Sequence, residues 1–441
     1  MAQTLRASPP ASPVTILDLS FRPRWSLPRR IAFRLTAAYL ILFNLPYQGH
    51  INVLGLIPGM PAVAQFYTRG SRALVEWVAA HIFHLTGPAA VYPRVNGSGD
   101  TTLDYIQELC LLVFAVVATV VWSILDRRRT DYRRFHAWLR IFVRYSLALT
   151  LFGYGFAKVF PLQFVPPGMN RLLEPLNEFS PMGLLWTFMG FSPAYTIFAG
   201  AAEVLGGALL LFRATTTLGA LVSAAVMLNV VMLNFCYDVP VKLYSANLLF
   251  MAIFLAAPEI SRLLNVFVLN RTAPPSRIDA MLFRSRRAQI AIAVLKTVFI
   301  GATLFMQIKG GIAGYRRFYV DVPKPPLYGI WDVESFTRSG ELVTNGSRWN
   351  RVVMERPQLM QVRLLDGSTA GFTSEYDSSH QRINLKPGGF LNYGRPGDSY
   401  LTLEGVLASE PVSMRLRKVD TAKFRLTSRG FHWINETPFN R

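Results

Sequence analysis

The sequence has few charged residues for a chain of its length. Asp, Glu, Lys and Arg make up 16% of its 441 residues, whereas soluble proteins carry roughly 25%. Hydrophobic residues make up 51% and lie in long runs. This composition excludes an ordinary soluble enzyme and predicts an integral membrane protein.

The sequence also lacks the motifs of several enzyme classes. Its two cysteines, Cys110 and Cys236, form no Cys-x-x-Cys pair, so neither a dithiol nor a metal site is predicted. It has no phosphate-binding G-x-x-x-x-G-K-[ST] loop, no dinucleotide fingerprint and no G-x-S-x-G elbow. No cofactor is therefore encoded by a motif. A redox cofactor is expected to come from the membrane or from a partner.

Acidic residues are scarce relative to basic ones, which gives a formal net charge of +20. The arginines cluster beside apolar runs, at 127–134 and 271–287, as expected of cytosolic loops. We attribute the charge to orientation in the membrane and predict no nucleic-acid partner. Residues 1–29 have no continuous apolar core, so no signal peptide is predicted and 1–30 are interpreted as a cytosolic tail.

Apolar runs long enough to approach the ~20 residues needed to cross a bilayer recur along the chain. Two amphipathic stretches are predicted to lie in the membrane interface, and a Pro-rich stretch is predicted to be an outer loop that covers a site. The predicted spans are about 31–45, 103–125, 139–160, 194–212, 218–236, 243–257 and 288–308; the interfacial stretches are 61–86 and 260–269, and the outer loop is 161–192.

These patterns predict a polytopic α-helical membrane bundle of about seven spanning helices, followed by a small antiparallel β-barrel or sandwich. Residues 31–138 hold the first helices, 139–259 form a four-helix core, and 260–313 contain a basic connection and the last helix. Residues 314–441 alternate polar and apolar side chains between turn clusters such as K-P-G-G, which is typical of strands. Counting helices places this domain in the periplasm or outside the cell.

The β domain opens with Gly329 and Trp331. This G-x-W pattern resembles the opening of lipocalin-like barrels. The resemblance implies that Arg415 or Arg417, on a late strand, covers the tryptophan ring.

Ionisable residues interrupt the apolar runs of the four-helix core. Glu203 lies near the middle of one run and Lys158 ends another. A charge at the bilayer centre costs at least ~2.5–3.5 kcal/mol, so such residues are candidates for function. Ala199, Gly206 and Gly207 share the helix face of Glu203 and allow another backbone to approach. We therefore expect Glu203 to face the bundle interior.

The candidate catalytic residues are Lys158 as acid or base and Glu203 as proton relay. The alternative is that they form a purely structural ion pair. Arg144, at the cytosolic end of its run, is interpreted as a lipid-headgroup anchor. Further polar residues in the outer half are predicted to join one outward-opening pocket as substrate-binding residues: Glu108, Asn234, Asp238, Lys242 and Asn247.

Residues 139–259 resemble the DoxX/DoxD-like membrane family. The residues that carry the resemblance are Arg144, Gly153, Gly155, Lys158, Ala199, Gly200, Glu203, Gly206 and Gly207. The resemblance implies a quinone-linked oxidoreductase component with a membrane quinone and a redox partner subunit. A more distant resemblance, to the membrane part of vitamin K-dependent carboxylases, implies proton abstraction at Lys158. The residues also leave open a non-enzymatic function, in which bundle and barrel bind or transfer a lipophilic molecule.

The arginine clusters generate a topology that a reporter can test. We expect a cytosolic N-terminus and an exported C-terminal domain, because each arginine-rich loop stays on the cytosolic side. Alkaline phosphatase fused after Arg441 should be active in cells, and a green fluorescent protein at the same position should be dark. A bright fluorescent fusion with silent phosphatase would contradict the predicted orientation.

Overall fold

The structure is a computed structural model that describes residues 24–45, 59–92, 97–276 and 285–438. Most of the predicted cytosolic tail, up to residue 23, lies outside the described residues. So does the 277–284 part of the predicted basic connection.

Helices account for most of the chain before residue 320, and the apolar runs explain their positions. Pro28 stands near the start of the first helix, where its missing N–H costs no hydrogen bond. Thr101 and Asp104 form a capping box at the start of the third. The helices are α1 (Leu27–Phe43), α2 (Met60–His81), α3 (Thr102–Leu125), α4 (Arg133–Val159), α5 (Met169–Leu173), α6 (Pro181–Phe191), α7 (Pro193–Leu211), α8 (Thr216–Cys236), α9 (Lys242–Ala256), α10 (Ile260–Phe267), α11 (Arg286–Tyr315) and α12 (Arg425–Ser428).

Within the described ranges, five helical stretches are long and apolar enough to cross a membrane: Thr102–Leu125, Pro193–Leu211, Thr216–Cys236, Lys242–Phe267 and Arg286–Val320. The protein is therefore a membrane protein. Two predicted spans fall outside this set. Helix α1 has 17 residues, and α4 carries four arginines and Lys158. The count of seven spans stays a prediction.

The chain divides into two compact units, and the division cuts through α4, α7 and α11. The first unit consists of the described parts of Met1–Phe152 and Val204–Val294. In it, α1 packs on α3, and α8 packs on α9. The second unit consists of Gly153–Glu203 and the described part of Leu295–Arg441. It contains α5, α6, the remaining parts of the three divided helices and a β domain.

The β domain is a closed antiparallel barrel, the first of the two architectures that the sequence predicts. From β3 to β9, each strand pairs with the next along the chain. Strand β1 pairs with both β3 and β9, which closes a ring of eight strands, and the two-residue β2 pairs with β1. The strands are β1 (Gly329–Arg338), β2 (Glu341–Leu342), β3 (Trp349–Arg356), β4 (Leu359–Leu364), β5 (Thr369–Asp377), β6 (Arg382–Lys386), β7 (Gly389–Gly397), β8 (Tyr400–Leu407) and β9 (Glu410–Lys418).

The barrel interior is a single cluster of buried apolar side chains contributed by alternating strand positions. Trp331 belongs to this cluster, is 2% exposed, and donates from its indole nitrogen to the Leu327 carbonyl over 3.0 Å. The cation over its ring is Lys418, at 5.8 Å. The expectation for Arg415 and Arg417 is wrong: both lie on the outer face of β9 and pair with Glu334.

The barrel should fold without the membrane helices, because its core cluster is formed entirely by residues between Leu327 and Leu416. Residues 324–441 expressed alone should give a soluble protein with the circular dichroism of a β-sheet. Trp331→Ala should lower its free energy of unfolding by roughly 3–5 kcal/mol, since a large buried ring is removed. Trp433→Ala is the control, because Trp433 is 90% exposed. Equal losses in the two variants would contradict the packing of Trp331.

Candidate functional site

Lys158 and Glu203 form a buried ion pair in the second unit. Lys158 lies in the last turn of α4 and Glu203 in the middle of α7. The Lys158 Nζ atom donates to both carboxylate oxygens, Oε1 at 2.9 Å and Oε2 at 3.0 Å. Lys158 is 7% exposed and Glu203 is 3% exposed. The predicted orientation of Glu203 toward the protein interior is confirmed.

Glycines bring the two helices close enough for this pair to form. A Cβ atom on Gly200 would lie 2.6 Å from the Gly155 carbonyl oxygen and 2.6 Å from the Lys158 Cβ. Since real Cβ atoms do not approach so closely, the position requires glycine. Gly200 stands one turn before Glu203 on α7, and Gly155 one turn before Lys158 on α4. The close approach therefore includes the turn of α4 that carries Lys158 and lies one turn from Glu203 on α7, which brings the two side chains within reach of each other.

Two aromatic rings lie near the ammonium group. The Nζ atom of Lys158 lies 5.7 Å from the centre of the Tyr154 ring and 6.0 Å from that of Phe164. Phe164 is buried and packs edge-on against Trp186 at 5.1 Å. Such rings stabilise a cation through their negative faces. An ammonium has three N–H donors, and in the described structure Glu203 is the group that accepts from it. One N–H is therefore left for a further acceptor.

A second polar cluster lies in the first unit. The Tyr39 hydroxyl on α1 lies within hydrogen-bond distance of the Glu108 carboxylate on α3 and of the side-chain oxygen of Asn247 on α9, and its one proton serves either acceptor. The Asn247 amide nitrogen also donates to Glu108 over 3.3 Å. These bonds link three helices and satisfy polar groups that lipid cannot.

A third group of polar contacts, also in the first unit, lies at the start of α9. The Asp100 carboxylate accepts the backbone N–H groups of Lys242, at 2.7 Å, and Leu243, at 3.0 Å. A carboxylate at a helix N-terminus satisfies free N–H donors and complements the helix dipole. The Lys242 ammonium lies 2.9 Å from Asp238. Asn234, on α8, donates to Ser245 over 3.0 Å.

The structure thus brings the predicted residues together in small groups. Lys158 pairs with Glu203, Glu108 bonds to Asn247, and Asp238 pairs with Lys242. Asn234 bonds instead to Ser245. No group of His, Cys, Asp and Glu suited to a metal ion is found in the described part of the chain.

The sequence does not indicate two of these hydrogen-bonding partners, Tyr39 and Asp100, and one role predicted from it, that of Arg144, is different in the structure. Tyr39 lies in an apolar run and Asp100 in a loop, and nothing near either in the sequence indicates its partner. The interpretation of Arg144 as a headgroup anchor is wrong. Arg144 is buried and donates to the Thr216 hydroxyl over 3.0 Å at the start of α8. A guanidinium held there by protein cannot lie among lipid headgroups.

Comparison with known proteins finds one informative relative. The uncharacterized protein YwoB of Bacillus subtilis (strain 168) is 32% identical over 126 residues, which are 28% of this chain and 79% of YwoB. The chain belongs to the YwoB family. No family model matches it, and no solved structure matches it. Membership in the YwoB family assigns no activity, because the relative is itself uncharacterized.

In this YwoB-family protein, the helix contact at Gly200 can be tested by adding one methyl group. Gly200→Ala should lower the free energy of unfolding by roughly 1–3 kcal/mol, because the new Cβ overpacks the contact with Gly155 and Lys158. Gly301→Ala in α11 is the matched control, since no described atom lies within 4 Å of its Cβ position. It should be neutral or stabilising, as alanine favours helix. Thermal unfolding in detergent measures both, and equal behaviour would contradict the close approach.

Proposed function

We propose that the Lys158–Glu203 pair is the polar end of a binding site for a lipophilic carbonyl compound, a membrane quinone being the leading class. The protein then acts as a quinone-linked oxidoreductase component of the DoxX-like type. The observation that carries the proposal is the buried ammonium, held by two carboxylate oxygens, that retains one N–H without an acceptor in the described structure.

The energetics of burial favour a functional pair. Removing two charges from water costs several kcal/mol per ion, and apolar residues of similar volume often stabilise a protein as well or better. A purely structural contact between α4 and α7 has no need of charges, because Gly200 and Gly155 already bring the backbones together. A pair retained in these surroundings fits a role in binding or proton transfer.

The chemistry of a quinone matches the groups present. Its carbonyl oxygen accepts a hydrogen bond, which the third N–H of Lys158 can donate. The aromatic rings of Tyr154 and Phe164, near the ammonium, suit a flat ring ligand. Reduction of a quinone takes two electrons and two protons. Lys158 donates one proton, and the Glu203 carboxylate relays from water the second proton and the proton that restores Lys158. The electrons are assigned to a redox partner subunit.

The remaining candidate residues have protein partners, which explain them as contacts between helices or at the start of α9. Glu108 and Asn247 bond to Tyr39, Lys242 bonds to Asp238, and Asn234 to Ser245. We assign substrate binding to Lys158 and Glu203 and a supporting role to these groups. We also propose that the protein lies in the inner membrane with the barrel on the periplasmic side, because the arginine-rich loops are expected on the cytosolic side.

The alternative is binding or transfer of a lipophilic molecule without turnover. In that case the same pair binds the ligand, but no proton transfer occurs. We do not assign the ligand to the barrel interior, because the buried apolar side chains of the strands occupy it. The two functions predict different results when the Glu203 charge is removed and the side-chain shape is kept. In an oxidoreductase turnover is affected, and in a binding protein only affinity can be.

The pair can be tested by removing one charge or both. Glu203→Gln keeps the shape of the side chain, so it should leave binding largely intact and cripple proton transfer. Lys158→Met leaves a buried carboxylate alone and should cost about 3–5 kcal/mol of stability. Lys158→Met with Glu203→Gln should fold and lose the bound quinone. The measurements are thermal unfolding, mass spectrometry of co-purified lipids and quinol formation.

The matched control is Asp238→Asn, which removes an exposed carboxylate from an ion pair. It should change neither quinone content nor stability by much, because exposed pairs contribute little. Unchanged quinone content and turnover in the folded double variant would remove the Lys158–Glu203 site. Retained turnover in Glu203→Gln alone would remove Glu203 as the proton relay, whereas bound quinone without turnover in the wild type would favour the binding function.

A further inference from the structure

We propose that the β-barrel positions one wall of the intramembrane site. It holds the segment 160–178, which follows Lys158, and Arg363 on β4 is the positioning residue of this contact. The inference rests on the proposed function of the Lys158–Glu203 pair. All residues involved belong to the second compact unit.

The first part of the segment borders the ammonium group. Phe164 lies 6.0 Å from the Lys158 Nζ and is 6% exposed. The following residue, Val165, is in tight contact with α6: a Cβ on Gly190 would lie 2.0 Å from the Val165 carbonyl oxygen. The segment is therefore packed in place beside the ion pair, and a shift of its backbone would move the Phe164 ring away from Lys158.

The last membrane helix supports the same part of the segment. Gly311 and Gly314 of α11 face Phe160 and Leu162 so closely that a Cβ at either glycine would collide with those side chains. Just beyond α11, the Tyr319 hydroxyl donates to the Pro161 carbonyl. The start of the segment is thus fixed by the helix that leads into the barrel.

The barrel holds the other end of the segment. Arg363 donates from Nη1 to the Leu173 carbonyl over 2.6 Å and from Nη2 to the Glu178 carboxylate over 3.1 and 3.2 Å. Glu355, on β3, accepts the Met169 backbone N–H over 3.1 Å. The planar guanidinium reaches two acceptors in a fixed geometry, which a lysine cannot reproduce.

The alternation of side chains shows that these contacts lie on the outer face of the barrel. Met354 and Val362 belong to the core cluster, so their neighbours Glu355 and Arg363 point outward. Val353 also points outward, yet it is 3% exposed. A cavity of about 370 Å³ lies between residues 168–174 and β3–β4 and includes Val353 in its lining. Because this cavity leaves part of the contact without apolar packing, the hydrogen bonds of Arg363 and Glu355 contribute strongly to it.

The barrel therefore binds the segment at two places: Arg363 bonds to Leu173 and Glu178, and Glu355 bonds to Met169. Gly168 permits the bond from Met169 to Glu355, because a Cβ on Gly168 would lie 2.6 Å from Glu355 Oε1. Loss of these hydrogen bonds frees the segment at its barrel end and loosens the wall that carries Phe164.

The test uses the full chain in lipid nanodiscs. Arg363→Gln removes the charge and the forked donor, and Arg363→Lys is the conservative variant. Arg351→Gln is the matched control, because Arg351 lies on the neighbouring strand β3 and pairs within the barrel, with Asp332. The readouts are hydrogen–deuterium exchange of the 160–178 amides and of the barrel strands, amine labelling of Lys158, and retained quinone.

We expect Arg363→Gln to raise exchange in 160–178 several-fold, to leave exchange in the strands unchanged, to increase labelling of Lys158 and to lower quinone retention. Arg363→Lys should lie between this variant and the wild type, and Arg351→Gln should match the wild type. A purely structural role would raise exchange in the strands as well. Unchanged exchange in 160–178, or faster exchange with unchanged Lys158 labelling, would overturn the inference.

The outcome separates this inference from the proposed function. If wild-type protein holds no quinone but Arg363→Gln still increases exchange and Lys158 labelling, the quinone assignment fails and the positioning role stands. If quinone is present and depends on Lys158 but is insensitive to Arg363, the positioning role fails alone.

Discussion

A charged side chain at bilayer depth must have a partner, and this constraint governs the arrangement of α4 and α7. Lys158 and Glu203 meet the requirement with two short hydrogen bonds. The bonds can form because Gly200 lies against the backbone of α4, where any larger residue would separate the helices. The glycine contact and the ion pair depend on each other: the glycine contact sets the separation of the two helices, and the ion pair forms across that separation.

The same constraint applies to the polar side chains of the first unit, which have a different kind of partner. Glu108 bonds to the neutral groups of Tyr39 and Asn247, and the Asp100 carboxylate is bound by the free N–H groups at the start of α9. In both cases hydrogen-bond donors within the protein replace water. These groups hold helices together, whereas the Lys158 ammonium has donor capacity left over.

The barrel satisfies a different requirement, because a closed ring of strands leaves no unpaired edge. Its apolar interior is used for its own stability. What it offers to the rest of the second unit is therefore its outer face, where Arg363 and Glu355 bind the segment that follows Lys158. In the proposed function, the barrel contributes to the Lys158–Glu203 site through these contacts.

The sequence by itself determined the helices, the antiparallel strands and the inward orientation of Glu203, because apolar periodicity, strand alternation and small residues on one helix face are local properties. It left barrel and sandwich open, and the pairing of β9 with β1 decided for the barrel. It also offered Lys158 as the partner of Glu203, since each is a lone charge at an apolar run. Only the tertiary structure decided that Tyr39 binds Glu108, that Arg144 is buried against Thr216, and that Lys418 covers Trp331. Those contacts join residues tens of positions apart, so they depend on how whole helices and strands pack and not on any pattern within one of them.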